Sequence, residues 1–213
     1  MHDKSNGQDY LQPYEAAVAE HGPGFKATLW GTERAQRARF DVMIDLVDFA
    51  DAMIVDAGCG QGDFAAHLLE RDVAFGAFHG IDAMPEMIQT AQDRALDRCS
   101  FSAADFVVHP TVMGELSPNW ICFSGTLNTM GDPMAQTLIR AAYDIARDGV
   151  IFNFLSNRPH ARWGDRDLTP ARRFDTVAWI DWALGLSSRV AWTQAYLDGH
   201  DSTILIRHDE DAA

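Results

Sequence analysis

Short apolar runs alternate with amphipathic segments over most of this chain of 213 residues. Each of five apolar runs ends in an acid or a turn, which predicts a buried strand. These strands begin near Met53, Phe78, Phe101, Trp120 and Val150. The segments between them carry apolar residues at helical spacing, and residues 33–49 show such a face before the first strand. Strands that alternate with helices predict repeated βαβ units and a parallel sheet.

Capping residues and turn signals mark the ends of the later elements. Asp132, followed by Pro133, predicts a helix start with Asp132 as the N-cap, and Gly149 separates that helix from strand 150–155. Residues 175–184 are helical in pattern and stop at Gly185. Two runs, 189–196 and 202–207, flank Asp198-Gly199, which is typical of a hairpin. An antiparallel pair is therefore expected to finish the sheet.

The most informative turn follows the first strand. Asp56 ends the strand, and Gly58, Gly60 and Gly62 open a helical pattern. A strand, a glycine turn and a helix start in that order place backbone N–H groups beside an open cleft. A dinucleotide-binding turn has the spacing G-x-G-x-x-G. Here the third glycine, Gly62, comes one residue early, and Asp63 occupies the position that the third glycine would take. A turn that binds no ligand is the alternative at this point.

This G-x-G-x-G turn, preceded by an acid, resembles the S-adenosylmethionine (SAM) site of class I methyltransferases. Asp82 follows Gly62 by twenty residues at the end of the second strand, where an acid can accept hydrogen bonds from ribose hydroxyls. Asp105 ends the third strand, and Ser124-Gly125 ends the fourth. Asp82 as a helix N-cap and Asp105 as a plain loop acid are the alternatives.

The resemblance implies a fold, a cofactor and a site. The fold is a Rossmann-like α/β domain with a seven-stranded, mostly parallel sheet in the order 3-2-1-4-5-7-6, helices on both faces and a C-terminal antiparallel hairpin. The cofactor is SAM, and its product is S-adenosylhomocysteine (SAH). The cofactor-binding residues implied are Asp56, Gly58, Cys59, Gly60, Gly62, Asp82, Ala83, Met84, Asp105, Phe106, Ser124 and Gly125.

Further residues resemble a bacterial subgroup of "methyltransferase domain" proteins whose substrate is undefined. They are the entry-helix residues Trp30, Gln36, Arg39 and Phe40 and a Ser-Gly-x-Leu-Asn segment at 124–128. The resemblance implies methyl transfer to a small-molecule acceptor by in-line displacement. A non-catalytic SAM/SAH-binding module and a protein methyltransferase are the alternatives. A nicotinamide-dependent dehydrogenase does not fit the glycine spacing.

Composition limits the kinds of partner and the cell compartment that we expect for this protein. The formal net charge is −14, and a chain this acidic repels a polyanion, so nucleic acid is not expected as a substrate. Three cysteines without a C-x-x-C pair suit a reducing compartment, and no metal site is expected. Without a signal-like or membrane-length apolar run, a cytoplasmic protein with no membrane partner is expected. The sequence leaves the oligomeric state open.

Substrate contacts are expected at the carboxyl ends of the strands. Residues 1–31 are predicted to form an N-terminal arm and candidate lid, 32–208 the SAM-binding domain and 209–213 an acidic tail. Loop 157–173 holds five arginines against two aspartates and suggests an anionic acceptor, although a solvated loop is the plainer alternative. The substrate candidates are Trp30, Asn128, Arg158 and Arg162, and the catalytic candidates are His21, Tyr14 and His160.

Overall fold

Seven strands form a single sheet in the computed structural model, which describes residues 10–164 and 166–209. Along the sheet they run β3-β2-β1-β4-β5-β7-β6, in the predicted order. The strand bounds are Met53–Ala57 (β1), Ala77–Asp82 (β2), Cys99–Ala103 (β3), Trp120–Phe123 (β4), Gly149–Leu155 (β5), Val190–Thr193 (β6) and Asp201–Arg207 (β7).

The first five strands pair in parallel, and the last two are antiparallel to their neighbours. β7 pairs with β5 over its whole length, from Gly149 opposite Arg207 to Leu155 opposite Asp201. It pairs with β6 on its other side, and the 3₁₀ turn Leu197–Gly199 lies between β6 and β7. The predicted fold class is thereby confirmed, with its hairpin at the end of the sheet.

Within the described residues, six α-helices precede or connect the strands. Their bounds are Gln12–His21 (α1), Glu33–Leu46 (α2), Asp63–Glu70 (α3), Pro85–Asp93 (α4), Asp132–Ile145 (α5) and Thr176–Leu184 (α6). Pro85 occupies the first turn of α4, where its missing N–H costs no hydrogen bond. Asp175 caps α6 by accepting hydrogen bonds from the N–H groups of Val177 and Ala178.

Two hydrophobic clusters cover the two faces of the sheet. Successive strand residues alternate between them, as Ile54 and Val55 do in β1, because side chains alternate along a strand. The first cluster takes in α5 and α6, with Ile139 and Trp179 fully buried. The second takes in α2, α3 and α4. The carboxyl ends of the parallel strands remain as the place where a ligand can reach the sheet.

Some predicted boundaries differ from the structure. Helix α2 ends at Leu46 because Val47 is extended, with φ −123° and ψ 127°. Gly131 holds the N-cap position of α5, so Asp132 lies inside the helix and accepts a hydrogen bond from Trp179 Nε1. Residues 1–9 of the predicted arm and 210–213 of the predicted tail lie outside the described residues.

Candidate active site

The glycine turn folds back onto the ends of β1 and β2. The N–H groups of Gly58 and Cys59 both donate to the carbonyl oxygen of Ile81, at 2.8 and 3.1 Å. Gly58 has a φ of +86°, and a Cβ there would overlap the side chain of Thr126. The Thr126 hydroxyl in turn donates to the carbonyl of Ala57 at 2.9 Å. The turn is thus fixed between the ends of β1, β2 and β4, and only glycine fits at position 58.

Asp82 ties this turn to the end of β2. Its Oδ2 accepts from Gly60 N–H and its Oδ1 from Met84 N–H, each at 2.9 Å. Met84 holds the N-cap position of α4, so Asp82 does not serve as a simple helix cap. Burial raises the pKa of Asp82, while the hydrogen bonds from Met84 and Gly60 act in the opposite direction. The carboxylate therefore organises two stretches of backbone on the same edge of the sheet.

Asp56 is the most buried of the acids at this edge, with 3% of its surface exposed. Burial, and then the negative charges of Asp82 and Asp63, raise its pKa to about 8. Within residues 10–164 and 166–209, no donor reaches its buried Oδ1 atom. A buried acceptor without a donor is costly, so this position suits a ligand that brings a donor or a positive charge.

Asp105 lies two residues past β3 and is held by the N-terminal arm. Its Oδ1 accepts from the Tyr10 hydroxyl at 2.6 Å and from the N–H groups of Val107 and Val108 at 3.1 Å. Burial, and then the hydrogen bond to Asp105, raises the pKa of Tyr10. Oδ2 of Asp105 is buried without a partner in the described part of the chain. The site thus contains a second acceptor atom available to a ligand.

These side chains line one cleft of about 870 Å³. Every residue predicted to bind the cofactor lines this cleft except Gly62, which holds the N-cap position of α3. Tyr14 and Trp30 from the arm side also line it. Lining residues that the sequence did not place there are Tyr10, Leu11, Val18, Ala27, Thr28, Asp63, Phe64, Met87, Val107, Thr126 and Met130, beside Gln36 and Phe40 of the entry helix.

The part of the cleft wall that Trp30 forms is supported by a buried ion pair. The Trp30 ring packs against Gly125, where φ is +76° and a Cβ would overlap the indole. Arg39 stacks on Trp30, with its Cζ 4.2 Å from the ring centroid. The Arg39 guanidinium donates to both oxygens of Asp201, at 2.5 and 2.7 Å, in a pair that is almost fully buried. Asp201 was missed because it begins the distant strand β7 and no motif marks it.

The remaining candidates lie elsewhere. Asn128 is buried, and its side chain forms hydrogen bonds with the backbone. Its amide donates to Gly125 O, and its oxygen accepts from Leu155 N–H. His21 lies 3.7 Å from Glu20, and exposed His160 accepts from Arg162 N–H. None of the three is among the residues that line the cleft.

The two arginines predicted to hold an anionic acceptor are also away from the cleft. Arg162 pairs with Asp198 and stacks on Trp163, while Arg158 is exposed. Neither of them is among the residues that line the cleft. Tyr14 does line the cleft, but burial raises its pKa to about 12, so it is a neutral hydroxyl at neutral pH rather than a base.

Comparisons with known proteins agree with this geometry. Residues 54–149, from β1 to the start of β5, match the family model described as "Methyltransferase domain". The matching segment is thus similar to a methyltransferase domain and spans somewhat under half of the chain. The resemblance that the glycine turn and the strand ends suggested is therefore confirmed. No protein of curated function matches the sequence.

Solved structures of methyltransferases share the fold of this chain at low sequence identity. A magnesium protoporphyrin IX methyltransferase from Synechocystis PCC 6803 with bound SAM has a TM-score of 0.63 and 14% identity, covering 98% of each chain. A phosphoethanolamine N-methyltransferase from Haemonchus contortus has a TM-score of 0.68 and 15% identity, over 96% of this chain and 49% of that one. A small RNA methyltransferase has a TM-score of 0.60 and 14% identity, over 82% and 25%. Such diverse relatives show the fold but do not identify an acceptor.

Two further observations concern membrane-spanning helices and metal sites. Among the described residues, no helix is both long and apolar enough to cross a membrane. The same residues contain no group of three or more side chains suited to hold a metal ion.

Proposed function

We propose that this protein is a SAM-dependent methyltransferase that acts on a small-molecule acceptor and releases SAH. One observation carries the proposal: Asp56, Asp82 and Asp105, from the ends of three adjacent strands, line the same cleft as the glycine turn. SAM supplies an electrophilic methyl group on a positively charged sulfur, and the electron pair of the broken bond stays on that sulfur. The unpartnered oxygens of Asp56 and Asp105 fit a ligand of this kind, which is cationic and rich in donors.

Each strand end has its own part in holding this cofactor. Asp82 would bind the ribose hydroxyls, with Ala83 and Met84 against one face of the adenine. Asp105 would accept a hydrogen bond from the adenine amino group, and Phe106 would pack on the ring. The glycine turn would lie against the methionine moiety, where a Cβ at position 58 would leave no room.

The other side of the cleft would align the acceptor. Trp30 and Tyr14 form a wall there that can exclude water and restrict orientation, and orientation contributes up to about 7–11 kcal/mol in favourable cases. Ser124 lies at the end of β4, and its hydroxyl accepts a hydrogen bond from the Asn153 amide at 3.1 Å. A proton on the acceptor would have to leave to solvent or to a carboxylate, because Tyr14 stays protonated at neutral pH.

Calorimetry with SAH tests the cofactor assignment. The variant Gly58→Val should weaken SAH binding by roughly 100-fold, about 2.8 kcal/mol, because the new side chain meets Thr126 in a strained backbone conformation. Gly24→Ala is the matched control, since nothing lies within 4 Å of a Cβ at Gly24. Equal affinities for both variants would contradict the proposed cofactor site.

A turnover screen separates the alternatives that share this cofactor. SAH production with a small molecule supports the proposed reaction, and production only with peptides or folded proteins identifies a protein methyltransferase. Tight SAM binding without SAH production across both sets of acceptors identifies a binding module.

A further inference from the structure

We propose that the acceptor carries no negative charge and is an uncharged or cationic molecule with an apolar ring. This inference rests on the proposed function and defines the acceptor class of the same cleft. The observation behind it is a juxtaposition: four aspartates and several aromatic rings line the cleft, and no lysine, arginine or histidine of the described residues does. The anionic acceptor that the arginine-rich loop suggested is therefore replaced by the opposite class.

The charge balance of the cleft stays negative when the cofactor is bound. Asp63 has a cationic neighbour, since Arg94 donates to it at 2.8 Å. Asp56, Asp82 and Asp105 have no cationic partner in the described part of the chain. SAM brings one uncompensated positive charge, on its sulfur. Even with Asp56 protonated, the occupied cleft holds no surplus positive charge for a carboxylate or a phosphate.

The walls that remain for the acceptor are neutral. Tyr14 and Trp30 offer aromatic faces, and Val18 and Met130 offer aliphatic surface. Aromatic faces attract cations through the negative charge of the ring face, and they pack equally well against neutral rings. An acidic chain of net charge −14 reinforces this preference at long range, because its overall field attracts cations and repels anions.

Three arginines of loop 157–173 make contacts away from the cleft. Arg172 donates to Asp132 and to the carbonyl of Met130, and Arg173 donates to the carbonyls of Ser156 and Trp163. Arg166 stacks on Trp163, with its Cζ 4.3 Å from the ring centroid. These contacts fasten the loop to α5 and to the ends of β5 and β7 and leave no guanidinium on the cleft wall.

Three probes that share one ring test the charge preference. Tryptamine, tryptophol and indole-3-acetate carry a cationic, a neutral and an anionic side chain of similar size. Their affinities are to be measured by calorimetry on the full chain saturated with SAH, at low and at high salt. Tryptamine and tryptophol should bind at least about 10-fold more tightly than indole-3-acetate, and the advantage of tryptamine over tryptophol should shrink at high salt.

A double variant, Arg158→Gln with Arg162→Gln, controls for the arginine-rich loop. It should leave all three affinities unchanged, because neither guanidinium lines the cleft. Indole-3-acetate binding as tightly as tryptamine, or losing affinity in the double variant, would overturn the inference while SAH binding keeps the proposed function intact. Failure of all three probes to bind the SAH-loaded protein would also overturn it, because the aromatic wall would then not accept a ring. Failure of SAH itself to bind would remove the proposed function as well.

Discussion

The two sides of the cleft are built in different ways. On the strand-end side, the Asp82 carboxylate binds backbone only 22 and 2 residues away, at Gly60 and Met84. On the arm side, Tyr10 reaches Asp105 across 95 residues, and Arg39 reaches Asp201 across 162. The first side follows from the order of strands and turns, whereas the second requires the whole sheet to be complete. Local contacts therefore build the strand-end side, and long-range contacts fasten the arm side to it.

Breaking the Arg39–Asp201 pair should cause the largest loss of stability, because this pair supports the arm side of the cleft. Asp201→Asn leaves a buried guanidinium without its counter-charge, a change that typically costs about 3–5 kcal/mol. Thermal and urea unfolding should show the loss. Because Arg39 stacks on Trp30, the remaining folded protein should also bind SAH more weakly.

An exposed ion pair supplies the matched control for that substitution. Arg37 and Glu70 pair at 2.6 Å with about half of each side chain exposed, and such pairs contribute only about 0–1 kcal/mol. Glu70→Gln should therefore change stability little. Equal losses for the two substitutions would show that the buried pair does not support the arm side.

Sequence reasoning found the strand-end side of the cleft because the end of each strand determines where the next side chains lie. The order of the strands, the glycine turn and the acids at 56, 82 and 105 could all be found from local patterns. Asp201 and Tyr10 could not be found, because their roles depend on which distant residues the fold brings near them. The contacts of loop 157–173 could not be found for a similar reason: the sequence shows five arginines but not the partners that Arg172 and Arg173 have in the fold.

Asp56 provides a pH-dependent test of the strand-end side. Its folded-state pKa of about 8 lies above the ordinary value of 3.8, so the folded state binds more protons than the unfolded state between those values. Stability from this group is present below about pH 4 and is lost as the pH rises toward about 8. Asp56→Asn removes that loss and should raise Tm by roughly 3 °C or more at about pH 8.5, with a clearly smaller gain at about pH 5. A gain that does not change with pH would show that Asp56 ionises normally in the folded protein.

Removing the Tyr10 hydroxyl should have the smallest effect on SAH binding. Tyr10→Phe deletes one hydrogen bond to a carboxylate, worth about 1.5–3 kcal/mol at most, and leaves the two backbone donors to Asp105 in place. We expect SAH binding to weaken by a few-fold in calorimetry, because the arm would be held less firmly over Asp105.

Tyr143→Phe is a suitable comparison, since Tyr143 packs on His208 and does not line the cleft. If both tyrosine variants bind SAH like the parent protein, the arm does not contribute to holding the cofactor.

The position of β7 has a consequence for how this protein is made. Although β7 follows every other strand in the chain, it lies between β5 and β6 rather than at the edge of the sheet. During synthesis, the Arg39–Asp201 pair cannot form until Asp201 has left the ribosome, and more than a hundred and fifty residues are translated between the two. A nascent chain could thus assemble the strands that carry the glycine turn while its arm-side wall is still missing, so that translation itself sets the order in which the two halves of the cleft appear.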